Sequence, residues 1–340
     1  MASTYESIFS SLHALVGNTP LMELRCRIGD DERTVYAKYE VPNFTGSIKD
    51  RMALYILEEA WRTGRLAPGG EIVEATSGNT GIAFAALGRA LHHPVRIYMP
   101  DWMSRERVLL IQSLGATIVP VSKAEGGFLG SIALADAYAE EHPHAFRPQQ
   151  FDTPANVAAH ACGTGEELVQ QLAQLGKVAD AFVAGVGTGG TVMGVGRRLR
   201  EANSEVRVHP LEPASSPTLR TGKRVGHHRI QGISDEFVPS ILDLSSLDDI
   251  VDVHDGDAIL MAQRLAAQFG MGLGISSGAN LLGALQIARL MGPDAVVATV
   301  FPDSNKKYLS TDLCRTEPLK HGYLSPDVEL VACCVHPRVA

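Results

Sequence analysis

One lysine and two glycine-rich turns are the residues of this chain best suited to chemistry. Lys49 lies in the segment Asn43–Arg51, where Gly46 loosens a turn that opens a predicted helix. The two turns are residues 76–81 and 185–191, and each follows a short apolar run and precedes a helical pattern. Backbone N–H groups of such a turn meet the positive end of the following helix, where a phosphate or a carboxylate is stabilised.

An amine together with two anion-binding turns indicates pyridoxal phosphate as the cofactor. A lysine amine condenses with the aldehyde of this cofactor to a Schiff base. The second turn would hold the cofactor phosphate at Gly187 to Thr191, and the first would hold the α-carboxylate of an amino acid. A lone lysine in the first turn of a helix is usually a solvated side chain, so the hypothesis depends on all three features together.

A nicotinamide-dependent oxidoreductase is the alternative enzyme class. Gly185, Gly187 and Gly190 match the spacing of a dinucleotide-binding turn, and Glu212 follows about 20 residues later, where a ribose-binding acid is expected. This hypothesis leaves Lys49 and the first turn without a role, and a glycine-rich turn before a helix serves any phosphate. A third hypothesis is a non-catalytic protein that binds the cofactor and acts as a scaffold.

Strand-like and helix-like segments alternate along the chain, which predicts an α/β protein with parallel sheets covered by helices. The predicted strands are residues 35–39, 71–75, 95–99, 116–121, 181–186, 206–211 and 295–301. The predicted helices begin near Asp50, Asn79, Arg105, Phe128, Glu166, Thr191 and Ala279. Ligand sites in such folds lie beyond the carboxyl ends of the strands, where both turns fall.

The two turns lie far apart in the chain, so we expect two α/β lobes that face a shared cleft and contribute one turn each. We assign residues 44–152 to a smaller, mobile lobe. Residues 10–43 and 153–315 are assigned to a larger, cofactor-binding lobe. Residues 316–340 form a C-terminal extension, whose apolar run at 328–335 would be an edge strand or an interface element.

The composition narrows the partners and the location. The chain has 340 residues, 45% of them hydrophobic, and a formal charge of −8 without a basic stripe, so nucleic acid and anionic membranes are poor partners. It shows neither a secretory signal nor an apolar stretch long enough to span a bilayer, and a cytoplasmic location is expected. Its five unpatterned cysteines argue against a disulfide framework, and the histidine spacing predicts no metal site.

Eight segments in a fixed order resemble the cysteine synthase and cystathionine β-synthase family of fold-type II pyridoxal phosphate enzymes, over roughly residues 10–312. The segments are residues 16–21, 46–51, 76–81, 150–156, 185–191, 231–233, 274–279 and 308–311. The resemblance is strongest to O-acetylserine sulfhydrylases, and it implies a fold like that of the tryptophan synthase β subunit.

The resemblance also implies a role for each site residue. Lys49 would be the Schiff-base lysine, Asn79 would donate to the cofactor's 3-hydroxyl, and Ser277 would contact the pyridine nitrogen, with Ser276 as the other candidate. A neutral hydroxyl at that nitrogen makes a weaker electron sink than a carboxylate does, which favours β-elimination over transamination. The implied phosphate cup is Gly187, Thr188, Gly189, Gly190 and Thr191, and the implied substrate-binding residues are Thr76, Ser77, Gly78, Thr80, Gln150 and Gly232.

The implied activity is β-replacement on an O-activated L-serine, most directly O-acetylserine and sulfide giving cysteine and acetate through an aminoacrylate. Residues 302–307 depart from the family pattern, so a cystathionine synthase-like enzyme, an O-phosphoserine-using enzyme or one with another nucleophile stays open. The partners implied are a small amino acid and a small nucleophile. A homodimer is expected, and an acyltransferase is a candidate protein partner.

Overall fold

The computed structural model describes residues 2–339, with side chains from Tyr5 onward. Its strands β1 to β10 are Leu21–Ile28, Asp31–Tyr39, Ile72–Ala75, Val95–Pro100, Thr117–Val121, Ala181–Gly185, Arg207–Pro213, Val251–Val253, Val297–Phe301 and Val328–His336. Its helices α1 to α11 are Ala2–His13, Lys49–Arg62, Asn79–Ala90, Arg105–Ser113, Gly127–Glu141, Pro154–Ala159, Glu166–Gln174, Gly190–Ala202, Thr218–Thr221, Asp255–Phe269 and Ile275–Met291. Every strand and helix predicted from the sequence is present.

The strands form two sheets. The smaller sheet has three parallel strands in the order β3-β4-β5, and the larger has seven in the order β10-β1-β2-β9-β6-β7-β8. Strands β2, β9, β6, β7 and β8 are parallel, whereas β1 runs antiparallel to both β2 and β10. A tight turn at Gly29, with φ of 61°, joins β1 to β2 and makes them a hairpin, which cannot be parallel. The prediction of parallel sheets is confirmed except at this edge.

The elements that the sequence prediction lacks include β1, β8 and α10. Strand β1 carries Arg25 and Arg27, which break its apolar run, and β8 has only three residues. Helix α10 buries one face through residues such as Ile259, Ala262 and Leu265, a helical spacing that periodicity alone indicates.

Helix α11 lies in the core of the larger sheet. The helix is apolar overall and has no distinct polar face, and all residues from Ile275 to Leu285 are buried. A helix that is apolar all round is buried on all sides in a soluble protein. The first turn of α11 is therefore held rigidly at the base of the cleft between the sheets.

The N-terminal segment packs against the smaller sheet. Phe9, Leu12 and Val16 share a core with Met52 and Leu57 of α2. We assign residues 10–43 to the larger lobe. Strands β1 and β2 do lie in the larger sheet, whereas Leu12 and Val16 pack against elements of the segment 44–152. The division into a mobile smaller lobe and a larger lobe remains a proposal.

The C-terminal extension adds an edge strand to the larger sheet. Strand β10 pairs with β1 and buries Val328 and Leu330, while Cys333 and Cys334 lie within the strand. Beyond the strand, Val339 exchanges two hydrogen bonds with the side chain of Asn18, each 2.9 Å long. Among residues 2–339, no helix has the length and apolar character needed to cross a membrane.

Candidate active site

A single cleft collects most of the predicted site residues. It lies where the carboxyl ends of strands from both sheets meet, with Lys49 as the first residue of α2. The predicted residues that line it are Lys49, Thr76, Ser77, Gly78, Asn79, Thr80, Gln150, Gly187, Thr188, Gly189, Thr191 and Gly232. Gly190 and Ser277 lie just behind the cleft wall, buried in the first turns of α8 and α11.

The electrostatic surroundings of Lys49 suit a reactive amine. Burial lowers the pKa of the Lys49 ammonium, and the nearby carboxylates of Asp235 and Asp303 offset part of this effect. The net result is a pKa below the ordinary lysine value. A lowered pKa leaves more of the amine neutral, and the neutral amine is the nucleophile and the base.

The first glycine-containing turn is held by its own side chains. Thr80 Oγ1 donates to Gln150 Oε1 at 2.6 Å, and Gln150 Nε2 donates to the carbonyl of Ala75 at 3.0 Å. The N–H of Gly78 donates to Thr76 Oγ1 at 3.1 Å. No side chain caps the start of α3, so its first N–H groups are free for an anion.

The second turn has no room for a side chain at its glycine positions. Gly189 has φ of 87°, a left-handed conformation that favours glycine. A Cβ on Gly187 would lie 2.4 Å from the carbonyl oxygen of Gly232, and one on Gly190 would lie 2.0 Å from Asn156 Oδ1. Helix α8 begins here without a side-chain cap. This bare turn at a helix N-terminus fits a phosphate group.

Ser277 carries a buried hydroxyl in the first turn of α11, next to Ser276, which lines the cleft. Its side chain is 0% exposed, and its Oγ has no hydrogen-bond partner among the described residues. Leaving a buried hydroxyl unpaired costs about 1–3 kcal/mol, so this oxygen marks a position for a ligand atom. The assignment of Ser277 to a ring nitrogen stays a prediction, since Ser276 is the serine of the pair that lines the cleft.

Asp303 links the residues around Lys49, although the sequence prediction did not single it out. Its Oδ2 accepts from Asn79 Nδ2 at 2.7 Å and from the hydroxyl of Tyr308 at 2.5 Å. Asn79 Oδ1 is buried and has no hydrogen-bond partner among residues 2–339. This oxygen can therefore accept a hydrogen bond from a ligand, either directly or through a water molecule. Asp303 follows β9 at the carboxyl end of a parallel strand, which is the signal that could have revealed it.

Asp235 is a second acid that the sequence prediction missed. It follows Gly232 in the loop that faces Lys49, and burial raises the pKa of its carboxyl to about 6. The positive charge of Lys49 opposes this rise. A carboxyl with a pKa near neutrality, in a cleft and beside an amine, is a candidate for proton transfer.

Arg107 completes the charged groups of the cleft. It comes from α4, is 4% exposed and donates to the side chain of Gln231 across the cleft. Its guanidinium lies 4.8 Å from the ring centre of Tyr308. Beyond it the cleft opens into an outer chamber, whose lining includes Trp102 and His228. No sequence motif distinguishes this arginine from the other charged residues of its helix.

Comparison with known proteins places this cleft in a family. A family model described as "Pyridoxal-phosphate dependent enzyme" matches residues 12–303. The chain belongs to this family. A cysteine synthase of Staphylococcus aureus is 42% identical over 299 residues, which cover 88% of this chain and 95% of that protein. A probable cysteine synthase of Bacillus subtilis is 41% identical and covers 88% of this chain and 96% of its own length.

Solved structures of pyridoxal phosphate enzymes match almost the whole chain. A hydrogen sulfide-producing enzyme from Fusobacterium nucleatum is 52% identical, covers 98% of this chain and 100% of its own, and superposes with a TM-score of 0.94. A cysteine synthase from Entamoeba histolytica is 34% identical, covers 91% of both chains and has a TM-score of 0.83. The predicted cofactor and the tryptophan synthase β-like fold are confirmed.

Family membership shows that the nicotinamide alternative was wrong, and Glu212 shows why its motif misled. Its carboxylate is 1% exposed and accepts from the N–H of Leu219 at 2.6 Å and from Arg220 at 3.3 Å. These bonds hold the loop after β7, so the acid is not available to a ribose. The glycine spacing matched because any helix N-terminus that binds phosphate needs the same bare turn.

Proposed function

We propose that the protein catalyses β-replacement on a three-carbon L-amino acid, converting O-acetyl-L-serine and sulfide to L-cysteine and acetate. The observation that carries this proposal is one cleft that contains Lys49 and both glycine-containing turns, with the unpartnered Ser277 hydroxyl buried behind its wall. The similarity to curated cysteine synthases over 299 residues supports the choice of reaction.

The residues present fit pyridoxal phosphate. We assign the phosphate to the turn from Gly187 to Thr191, the ring nitrogen to Ser277, the ring oxygen to Asn79 and the aldehyde to Lys49. When bound, the cofactor supplies the sink for the electron pair that remains after the α-proton departs. Because Ser277 is neutral and cannot hold the ring nitrogen protonated as a carboxylate would, the site favours prompt loss of the β-substituent.

The chain itself positions the substrate and moves the proton. Thr76, Ser77, Gly78, Thr80 and Gln150 form the proposed carboxylate site. Their mutual hydrogen bonds fix the geometry before substrate arrives, which lowers the entropic cost of orientation. Lys49 accepts the α-proton at Nζ, since its lowered pKa keeps a fraction of the amine neutral. Gly232 lines the opposite wall of the cleft.

A second candidate reaction runs from L-cysteine and water to L-serine and hydrogen sulfide. It is favoured by Asp235, whose carboxyl has a pKa of about 6 and so can accept a proton from an entering water near neutral pH. The similarity to the 52% identical hydrogen sulfide-producing enzyme supports this reaction, because hydrogen sulfide is its product. Both reactions use the same residues. In the first, acetate leaves the β-carbon and sulfide enters, whereas in the second, sulfide leaves and water enters.

A donor and acceptor screen tests the proposal. Purified holoenzyme is given O-acetylserine, O-phosphoserine, serine or cysteine, with and without sulfide, and cysteine, serine and sulfide are quantified. Cysteine formation from O-acetylserine supports the first reaction, whereas sulfide and serine formation from cysteine alone supports the second. Binding of the cofactor without turnover of any donor would contradict both, and would favour a scaffold role. The Lys49→Ala variant is the inactive control.

We further propose that the protein acts as a homodimer in the cytoplasm, and that an acyltransferase is a protein partner whose C-terminus enters the cleft. Exposed leucines such as Leu290, at 82%, and Leu319, at 69%, are compatible with a further interface. Light scattering of the purified protein measures the assembly. A peptide that ends in the partner's C-terminal residues should compete with amino-acid binding, and no competition would contradict the partner.

A further inference from the structure

Arg107 carries a buried positive charge that no acidic side chain described by the structure pairs with. It is 4% exposed, yet no carboxylate in the described part of the chain lies within salt-bridge distance of it. The other deeply buried arginines are paired: Arg51 with Glu40 and Glu167, and Arg147 with Glu74. An unpaired buried charge is strongly unfavourable, so an arginine in this condition points to an anion that arrives with a ligand.

The guanidinium lies directly against the proposed carboxylate turn. A Cβ on Gly78 would lie 2.5 Å from Arg107 Nε, so only glycine admits the arginine at this place. One amino group donates to Gln231, and the ring of Tyr308 supports the guanidinium face at 4.8 Å. The Nε atom has no partner in the described part of the protein. The side chain is therefore fixed by its neighbours and retains a free donor.

The charges of the cleft are separated. The proposed carboxylate donors are hydroxyls, an amide and backbone N–H groups, none of which carries a net charge. The charged residues that act on the carboxyl of Asp235 include Lys49, Glu236 and Arg224. The cleft thus has a positive side at Arg107, beside the first turn, and a negative side at Asp235, in the loop after Gly232.

We propose that Arg107 supplies the positive charge of the binding site for the α-carboxylate of the amino-acid substrate. The neutral turn sets the orientation of the carboxylate, and the guanidinium neutralises its charge. The cleft thereby distinguishes α-amino acids from simple amines, and the reacting end of the substrate is directed towards Asp235. This inference rests on the proposed function.

Equilibrium binding of unreactive ligands tests the inference without turnover. L-Alanine and ethylamine both have a primary amine, but only L-alanine has a carboxylate and neither has a leaving group. Dissociation constants are measured from the change in the visible absorbance of the holoenzyme. Arg107→Gln should weaken the binding of L-alanine about 10- to 100-fold, since a hydrogen bond to a charged group is lost. Ethylamine binding should not change.

Two further variants control for charge and folding. Arg107→Lys keeps the charge and should recover part of the L-alanine affinity. Arg105→Gln removes the same charge from an exposed position of the same helix and should bind both ligands as the wild type does. Equal losses for L-alanine and ethylamine, or no loss for either, would overturn the inference and leave the proposed function standing. A wild-type protein without a visible cofactor band would overturn both.

Discussion

At the scale of single residues, the cleft contains two groups with altered proton affinity, Lys49 and Asp235. Lys49 has a lowered pKa and Asp235 a raised one, and burial is the largest cause in both cases. Two groups whose pKa values are shifted towards each other can exchange roles as acid and base near neutral pH. Of the two proposed reactions, the release of sulfide from cysteine depends more on Asp235, because Asp235 accepts the proton of the entering water.

The pH dependence of sulfide release should report Asp235. Its carboxyl titrates at about 6 instead of 3.8, so it is ionised above pH 6 and protonated below. If the ionised form takes a proton from water, the rate of sulfide release from cysteine rises as the pH increases through about 6. Asp235→Asn should abolish this dependence and lower the rate at least tenfold. Glu236→Gln serves as the neighbouring control, and an unchanged profile in Asp235→Asn would contradict the role.

Gly187 should be intolerant of any side chain. In Gly187→Ala the new Cβ would lie 2.4 Å from the carbonyl oxygen of Gly232, which is backbone and cannot turn away. The turn must shift, and its N–H groups then no longer meet at one point. We expect at least tenfold weaker pyridoxal phosphate binding, measured by titration of the apoprotein, with a preserved far-ultraviolet circular dichroism spectrum. Wild-type cofactor affinity in this variant would contradict the assignment of the phosphate site.

At the scale of elements, strand β10 protects the hairpin edge of the larger sheet. It covers β1, which would otherwise present a row of free backbone groups. It also buries Val328 and Leu330 against the core. No residue of the strand lies in the cleft, so its contribution is to stability.

Removal of residues 328–340 should therefore lower the thermal midpoint and promote aggregation, because β1 becomes an exposed edge. The midpoint is measured by scanning calorimetry. Removal of residues 338–340 alone is the matched control, since it leaves the strand in place and loses only the bonds between Val339 and Asn18. Equal midpoints for the two truncated proteins would show that the strand contributes nothing.

The elements next to the cleft were the most predictable part of the fold. The starts of α2, α3 and α8 follow from Lys49, Asn79 and the glycines at 187–190, because each combines a turn signal with a helical pattern. Arg107 and Asp303 could not be found in this way. Their importance comes from contacts between distant segments, such as the bond from Asn79 to Asp303, and no local pattern encodes such a contact.

At the scale of the whole molecule, a buried ion network joins helix α2 to the larger sheet and to α7. Arg51, two residues after Lys49, donates to Glu40 at the end of β2 and to Glu167 of α7. Lys38 donates to Glu167 at 2.8 Å. The network holds the start of α2 against the larger sheet while the cleft side of the helix carries the amine.

The acid stability of the protein should depend on this network. Arg51 and Lys38 lower the pKa of Glu167 from 4.5 to about 2. A carboxylate with a depressed pKa stabilises the fold above its unfolded pKa, and this contribution is lost as the pH falls from 4.5 to about 2. The loss should amount to about 3 kcal/mol. Urea unfolding from pH 7 to 2 measures it, and a variant Glu167→Gln should lack this pH dependence and be less stable at neutral pH.

The two tryptophans of the chain lie in different surroundings. Trp61 stacks on Tyr5 at 5.7 Å within the core beneath α1, whereas Trp102 is 44% exposed at the outer chamber of the cleft. Replacement of Trp61 by phenylalanine would leave Trp102 as the one tryptophan of the sequence, at the outer chamber of the cleft. The fluorescence emission of this variant would then report changes in the water exposure of Trp102 at the cleft entrance in real time, without an added label.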